Sequence, residues 1–154
     1  SAAAVLPYDP ILDQVVLIEQ FRAGALADPQ SPWLVEAIAG IYQGNENPNM
    51  IAMQEAEEEA GCKILDLYRI CGYFVSPGGS NEYLHLYCGR IDASDVGGVH
   101  GLASENEDIR AFTLPADEAF QLVQEGKIQT SPAIIALQWL QLNREWLKQL
   151  WQTK

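Results

Sequence analysis

Apolar residues fall along the chain in two different rhythms, and the rhythm separates strands from helices. Residues 2–7 and 15–19 are apolar, small or β-branched, and Tyr8-Asp9-Pro10 and Asp13 stand between them. That pattern predicts two strands joined through a turn. Ala23 to Pro32 shows no period and reads as a loop, with Pro29 and Pro32 near its end. Trp33 to Ile38 predicts another strand, stopped by Gly40 and a polar stretch that runs to Asn47.

A helix is expected next. Asn47 suits the N-cap, and Pro48 suits the first turn, where its missing N–H costs nothing. Met50, Ile51, Met53 and Ala56 supply apolar positions, and Glu55, Glu57, Glu58 and Glu59 form the polar side. Gly61 ends the helix in the usual left-handed role. Carboxylates crowded into a last turn oppose the helix dipole and repel one another, so stability alone does not account for them.

Three more strands are expected at Leu65 to Phe74, Tyr83 to Cys88 and Arg110 to Leu114, with Ser76-Pro77-Gly78-Gly79 as a rigid turn between the first two. Pro115 to Gln124 predicts a short helix that buries Ala116, Ala119, Phe120 and Val123. Ser131 to Lys148 predicts a longer one, with Ile134, Ile135, Leu137, Leu140, Leu142 and Leu147 as a broad apolar surface. Trp139, Trp146 and Trp151 make this end of the chain aromatic; packing against the sheet is the expected reason and a subunit contact the rival. No repeat and no linker divides the chain, so residues 1–154 are expected to form one α/β (α+β) domain. The opening Ala2-Ala3-Ala4-Val5-Leu6 reads as the inside of a strand without an initiator methionine, and a preceding N-terminal segment is expected.

Composition narrows the function. Nine Lys and Arg face 21 Asp and Glu, a formal charge of −12, and that field repels a nucleic-acid backbone. No segment has the apolar length of a membrane span and no secretory signal is visible. Cys62, Cys71 and Cys88 are odd in number and lack metal-site spacing; they read as small core residues in a reducing compartment, which points to the cytoplasm. His85 and His100 are too isolated for a histidine metal site.

Glu55, Glu58 and Glu59 are spaced i, i+3, i+4 and share one side of the helix. A second acidic group, Glu105-Asn106-Glu107-Asp108, lies far along the chain. If the fold brings the two together they can bind Mg²⁺ or Mn²⁺ with a diphosphate; otherwise they are a solvated helix face and a surface loop.

The residues around the cluster carry a larger pattern. Gly40, Glu46, Gln54-Glu55, Ala56, Glu58-Glu59, Gly61 and Cys62 follow the spacing of the Nudix signature throughout, and the chain resembles that hydrolase family. One position departs: Gln54 stands where the family has an arginine that pairs with the box glutamates, so hydrogen bonding is retained and a charge is lost. Outside the box, Glu19-Gln20-Phe21-Arg22, Trp33-Leu34-Val35-Glu36, Ser76-Pro77-Gly78-Gly79 with Glu82, the loop from Gly101 to Arg110, and the helix around Trp139 resemble the ADP-ribose pyrophosphatase branch. Pro77, about fifteen residues beyond the box, is typical of it.

The resemblance implies mixed β-sheets sandwiched between helices, and Mg²⁺-dependent hydrolysis (Mn²⁺ as substitute) of ADP-ribose to AMP and ribose 5-phosphate. It implies Glu55, Glu59, Glu107 and the Ala39 carbonyl as metal ligands, with Glu58 supporting the site or bridging to a metal. Glu105 would be the general base or water-positioning group, Arg22 would bind the diphosphate, and Glu82 would assist near the terminal ribose or the metals. It also implies a homodimer built through an N-terminal sheet that helps hold the adenine, so Tyr8, Phe21 and Tyr42 are given no part in that pocket. The alternatives are a hydrolase of another nucleoside diphosphate sugar, or a non-catalytic module that binds a nucleotide or a protein.

Overall fold

Strand β1 (Ala2–Asp9) is buried along all eight residues, because both of its edges are paired and both of its faces are covered. Ala2, Ala4, Leu6 and Tyr8 enter one apolar cluster, while Ala3 and Val5 enter the other, as the two-residue period of a strand dictates. The computed structural model describes residues 1–27, 33–96, 98–100 and 109–152.

On one edge β1 runs parallel to β6 (Tyr83–Arg90), from Ala2 opposite Leu84 to Tyr8 opposite Arg90. β6 in turn pairs antiparallel with β5 (Asp66–Phe74). The other edge of β1 is shared. Only Tyr8 and Asp9 meet β2 (Gln14–Phe21), whereas Ala2 to Val5 pair with β4 (Ile38–Ile41). β2 pairs farther along with β3 (Trp33–Glu36) and, on its opposite edge, with β8 (Ile109–Pro115), which carries the short β7 (Gly98–His100). Thus β1 and β2 diverge from their turn, and β3 and β4 fill the fork.

This fork corrects the single strand expected over Trp33 to Ile38. The chain breaks at the buried Ala37, leaving β2 for β1, and Gly40 lies inside β4 rather than ending a strand. The turn that opens the fork is as expected. Asp9, only 3% exposed, accepts the backbone N–H groups of Ile11 (2.8 Å), Leu12 (3.0 Å) and Ala93 (2.9 Å), so its buried charge is met on both oxygens. Asp13 takes a left-handed φ of 55° and accepts from the Tyr8 hydroxyl at 2.6 Å.

Helix α1 (Pro48–Ala60) covers one face. Asn47 accepts from the Asn49 N–H at 2.9 Å and Gly61 ends it at φ 63°, both as predicted. Ala56 is buried as predicted and Ile51 packs against the core, but Ala52, Glu59 and Ala60 complete the buried face while Met50 and Met53 are exposed. Three alanines let the helix lie close to the sheet, leaving no room for methionines. α2 (Ala116–Gln124) and α3 (Ser131–Gln152) cover the other face, burying Ala116, Ala119, Phe120, Leu137, Leu140, Leu147 and Trp151. The result is a mixed sheet between helices. Leu142 leaves the expected stripe: five residues from Leu137, it sits about 140° around the helix axis and is exposed. Trp139 and Trp146 meet Tyr68 of β5 at ring distances of 5.5 and 5.2 Å and Trp151 is buried, although Trp146 remains 46% exposed.

Cys62 and Cys88 are buried, Cys71 is half-buried, and all three are free thiols. Burial pushes the Cys62 thiol up to about 12 and raises Cys88 further. Thiol reagents at pH 8 are therefore expected to leave Cys62 and Cys88 unmodified in the folded protein and to label them on unfolding; peptide mapping of the labelled protein checks this. Leu137→Ala should cost about 2–5 kcal/mol of stability, and Leu142→Ala less than about 0.5 kcal/mol, both read by urea denaturation.

Candidate functional site

The open end of the fork is a cavity of about 490 Å³. β1 contributes Ala2, β2 contributes Gln20 with Arg22 just beyond it, and β4 contributes Ala39, Gly40 and Ile41. Glu55 and Glu59 project from α1, and Glu82 and Leu84 come from the start of β6. A second cavity of about 530 Å³ opens at the far end of β1, among Ile11, Leu12, Leu65 and Trp151, and gathers none of the box residues.

Glu59 is 3% exposed, and its Oε1 accepts the Ala39 backbone N–H at 3.0 Å. One buried carboxylate thereby ties α1 to β4. Glu55, one helical turn earlier, lies over Gly40 so closely that a Cβ at residue 40 would stand 2.5 Å from the Glu55 Cδ and Oε1. The glycine is needed for clearance. Glu58 is half-buried and does not line the cavity; its Oε1 accepts from Gln54 Nε2 at 2.9 Å. Gln54 thus holds a box glutamate by a neutral hydrogen bond where the family uses a charged one.

Arg22 meets Glu36, the last residue of β3, in a bidentate pair: Nε to Oε2 at 2.8 Å and Nη2 to Oε1 at 3.0 Å. Glu36 is a site residue beyond those expected from the sequence. Its signal was there, a carboxylate inside the apolar run from Trp33 to Ile38.

Of the residues picked from sequence, Arg22, Ala39, Glu55, Glu59 and Glu82 come together at this cavity. Glu58 stands beside it on the same helix, and Glu105 and Glu107 lie outside the described residues. Among the described residues, no group of three His, Cys, Asp or Glu side chains is assembled to hold a metal. What the cavity does offer is oxygen: two carboxylates one helical turn apart, a third at Glu82, and no lining His or Cys. Such a donor set fits a hard divalent cation rather than a thiophilic one. Among the described residues the lining charges are one cation, Arg22, and three carboxylates, Glu55, Glu59 and Glu82, so a bare anion meets net repulsion from them.

His85 does not line the cavity. Its Nδ1 lies 2.9 Å from Arg69 Nη1, and because arginine only donates, Nδ1 must accept and the imidazole is neutral. Burial, then the Arg69 charge, lowers its pKa.

Gly40→Ala is expected to destabilise the fold by about 1–3 kcal/mol by forcing Glu55 aside. In a Gly40→Ala/Glu55→Ala double variant most of that loss should vanish, because the colliding group is gone. Denaturation curves of the four proteins check it, and additive losses would show that the clash lies elsewhere.

Comparison with known proteins follows the same direction. No family model matches the chain. The ADP-ribose pyrophosphatase of Haemophilus influenzae is 45% identical over 155 residues, covering 99% of this chain and 71% of the relative. That of Escherichia coli strain K12 is 44% identical over 150 residues, 97% of this chain and 72% of the relative. The GDP-mannose pyrophosphatase of Cronobacter sakazakii is 34% identical over 147 residues, covering 92% and 74%. With the box spacing intact and identity of this extent over nearly the whole sequence, the chain belongs to the Nudix hydrolase family, in the group of the bacterial ADP-ribose pyrophosphatases.

Proposed function

We propose that this protein hydrolyses the pyrophosphate linkage of ADP-ribose, with Mg²⁺ as cofactor and Mn²⁺ as its substitute. The convergence of Arg22, Glu55, Glu59 and Glu82 on one cavity carries this reading. The higher identity to ADP-ribose pyrophosphatases, 45% against 34% for a GDP-mannose pyrophosphatase, favours ADP-ribose over another nucleoside diphosphate sugar.

Glu55 and Glu59, with the Ala39 carbonyl and Glu107, are the proposed cation ligands. A divalent cation bound there supplies charge to neutralise the phosphoryl oxygens and acidifies water. Glu59 is suited to this because its Ala39 hydrogen bond fixes its orientation. Glu58 supports the site from the same helix, steadied by Gln54. Arg22 binds the diphosphate through its forked donors, and Glu82 stands near the terminal ribose. Glu105 orients or deprotonates the attacking water. The water oxygen forms a bond to one phosphorus, the bridging P–O bond breaks, and AMP and ribose 5-phosphate leave; Glu105 takes the water's proton. Residues 1–154 act as one unit in this scheme. We further place the protein in the cytoplasm, in keeping with three free thiols, as a homodimer; no helix among the described residues is long and apolar enough to cross a membrane.

Gln54 favours a second reading, a nucleotide-binding module without turnover, because the box lacks a cation that would compensate its glutamates. Incubation with ADP-ribose and Mg²⁺, with products resolved by chromatography, separates the two. AMP and ribose 5-phosphate are expected. Glu59→Gln retains an oxygen for the Ala39 N–H but loses the charge, so kcat/KM should fall about a hundredfold or more while the fold survives. Silence toward ADP-ribose and other nucleotide sugars with either metal would leave the binding module.

A further inference from the structure

Arg22 is the one cation lining the cavity among the described residues, and it sits where the backbone gives it little guidance. β2 ends at Phe21 and a short 3₁₀ turn starts at Ala23, so Arg22 occupies a strand end with its side chain about half exposed. A long side chain there explores many rotamers unless something holds it. Glu36 does so. It closes β3, whose pairing with β2 sets Ile18 opposite Glu36 and Phe21 opposite Trp33. Its side chain is 13% exposed, against 48% for Arg22, so the carboxylate is the anchored partner and the guanidinium the reaching one. Contacts at 2.8 and 3.0 Å use both carboxylate oxygens, and a two-point contact fixes the plane of the guanidinium as well as its place.

Glu36 does not itself line the cavity. We infer that it is a positioning residue of the proposed reaction: it aims Arg22 at the diphosphate of the substrate and acts through no other group. This rests on the reading of function above. A merely structural link would change stability and leave kcat/KM of the folded protein almost unchanged. A displaced guanidinium, in contrast, costs catalysis steeply, because misplacement by about an ångström weakens contacts that depend on distance and direction.

Glu36→Asp is the informative variant, since it keeps the charge and withdraws the carboxylate by one methylene. Four proteins are compared: wild type, Glu36→Asp, Arg22→Ala and the double variant. For each, kcat/KM on ADP-ribose with Mg²⁺ is measured, along with the Kd of methylene-bridged ADP-ribose by calorimetry. The ¹⁵N–¹H signal of the Arg22 Nε, assigned by its loss in Arg22→Ala, reports the pair itself. The inference expects kcat/KM to fall about tenfold in Glu36→Asp, with the Nε signal shifted or broadened, and less than about twofold when Arg22 is already alanine. An equal fall in both backgrounds would overturn it, because Glu36 would then act elsewhere. A disturbed Nε signal with unchanged kinetics would overturn it too. Wild-type protein that neither hydrolyses ADP-ribose nor binds the analogue defeats the functional reading itself, a failure visible before any variant is compared. If Glu36→Asp does not fold, as judged by its melting curve, Glu36→Gln replaces it in the same cycle.

Discussion

A carboxylate as deep as Glu59 is tolerated only where donors or opposite charge meet it, and the hydrogen bond from the Ala39 N–H begins to meet that demand. The rest of the site depends on this contact. It sets the height of α1 above β4, and that height brings Glu55 over Gly40 with no room for a side chain. The residues between are small: Ala52, Ala56 and Ala60 face the sheet and are buried. Small residues in the box helix and the buried acid are thus two parts of one constraint.

The forked sheet satisfies the other half of that constraint. Had β1 and β2 stayed paired beyond Tyr8 and Val15, no edge of β1 would be left for β4, and Ala39 could not sit under the helix. Divergence gives β1 a second partner along Ala2 to Val5 and gives β2 a second partner in β3. It also separates the cavity walls by elements distant in sequence, so that residues 2, 22, 39, 59 and 82 become neighbours. The buried Asp9 carboxylate stabilises the closed end of the fork in the same way that Glu59 stabilises its open end.

Local features of this arrangement were legible in the sequence. Asn47, Pro48 and Gly61 mark the limits of α1 because caps are decided by neighbours, and the box spacing put Glu55 and Glu59 on one side because helical geometry is fixed. What escaped was decided by distant partners. Met50 and Met53 look like core residues and are exposed, while Glu59 looks solvated and is buried, since hydropathy carries no word of the Ala39 N–H. Ala37 gave no sign of a strand break, because the break exists to pass the chain from β2 to β1. Leu142 was counted with its apolar neighbours although its angle on α3 faces it outward. Glu36 was visible as a charge in an apolar strand, but its partner at Arg22 became evident only when β3 was laid against β2.

Charge then links the arrangement to the proposed chemistry. Among the described residues one guanidinium faces three carboxylates across the cavity, in a chain of net charge −12, and that guanidinium already shares its charge with Glu36. A diphosphate approaching such a surface is repelled unless cations are present, so substrate and divalent ion should each strengthen the binding of the other. Gln54 sharpens this coupling. An arginine at that position would place a fixed positive charge beside Glu58, whereas the amide supplies only a neutral hydrogen bond. The fold thus holds the negative charges in place, and under the proposed function exchangeable cations would make the cavity attractive to an anionic substrate.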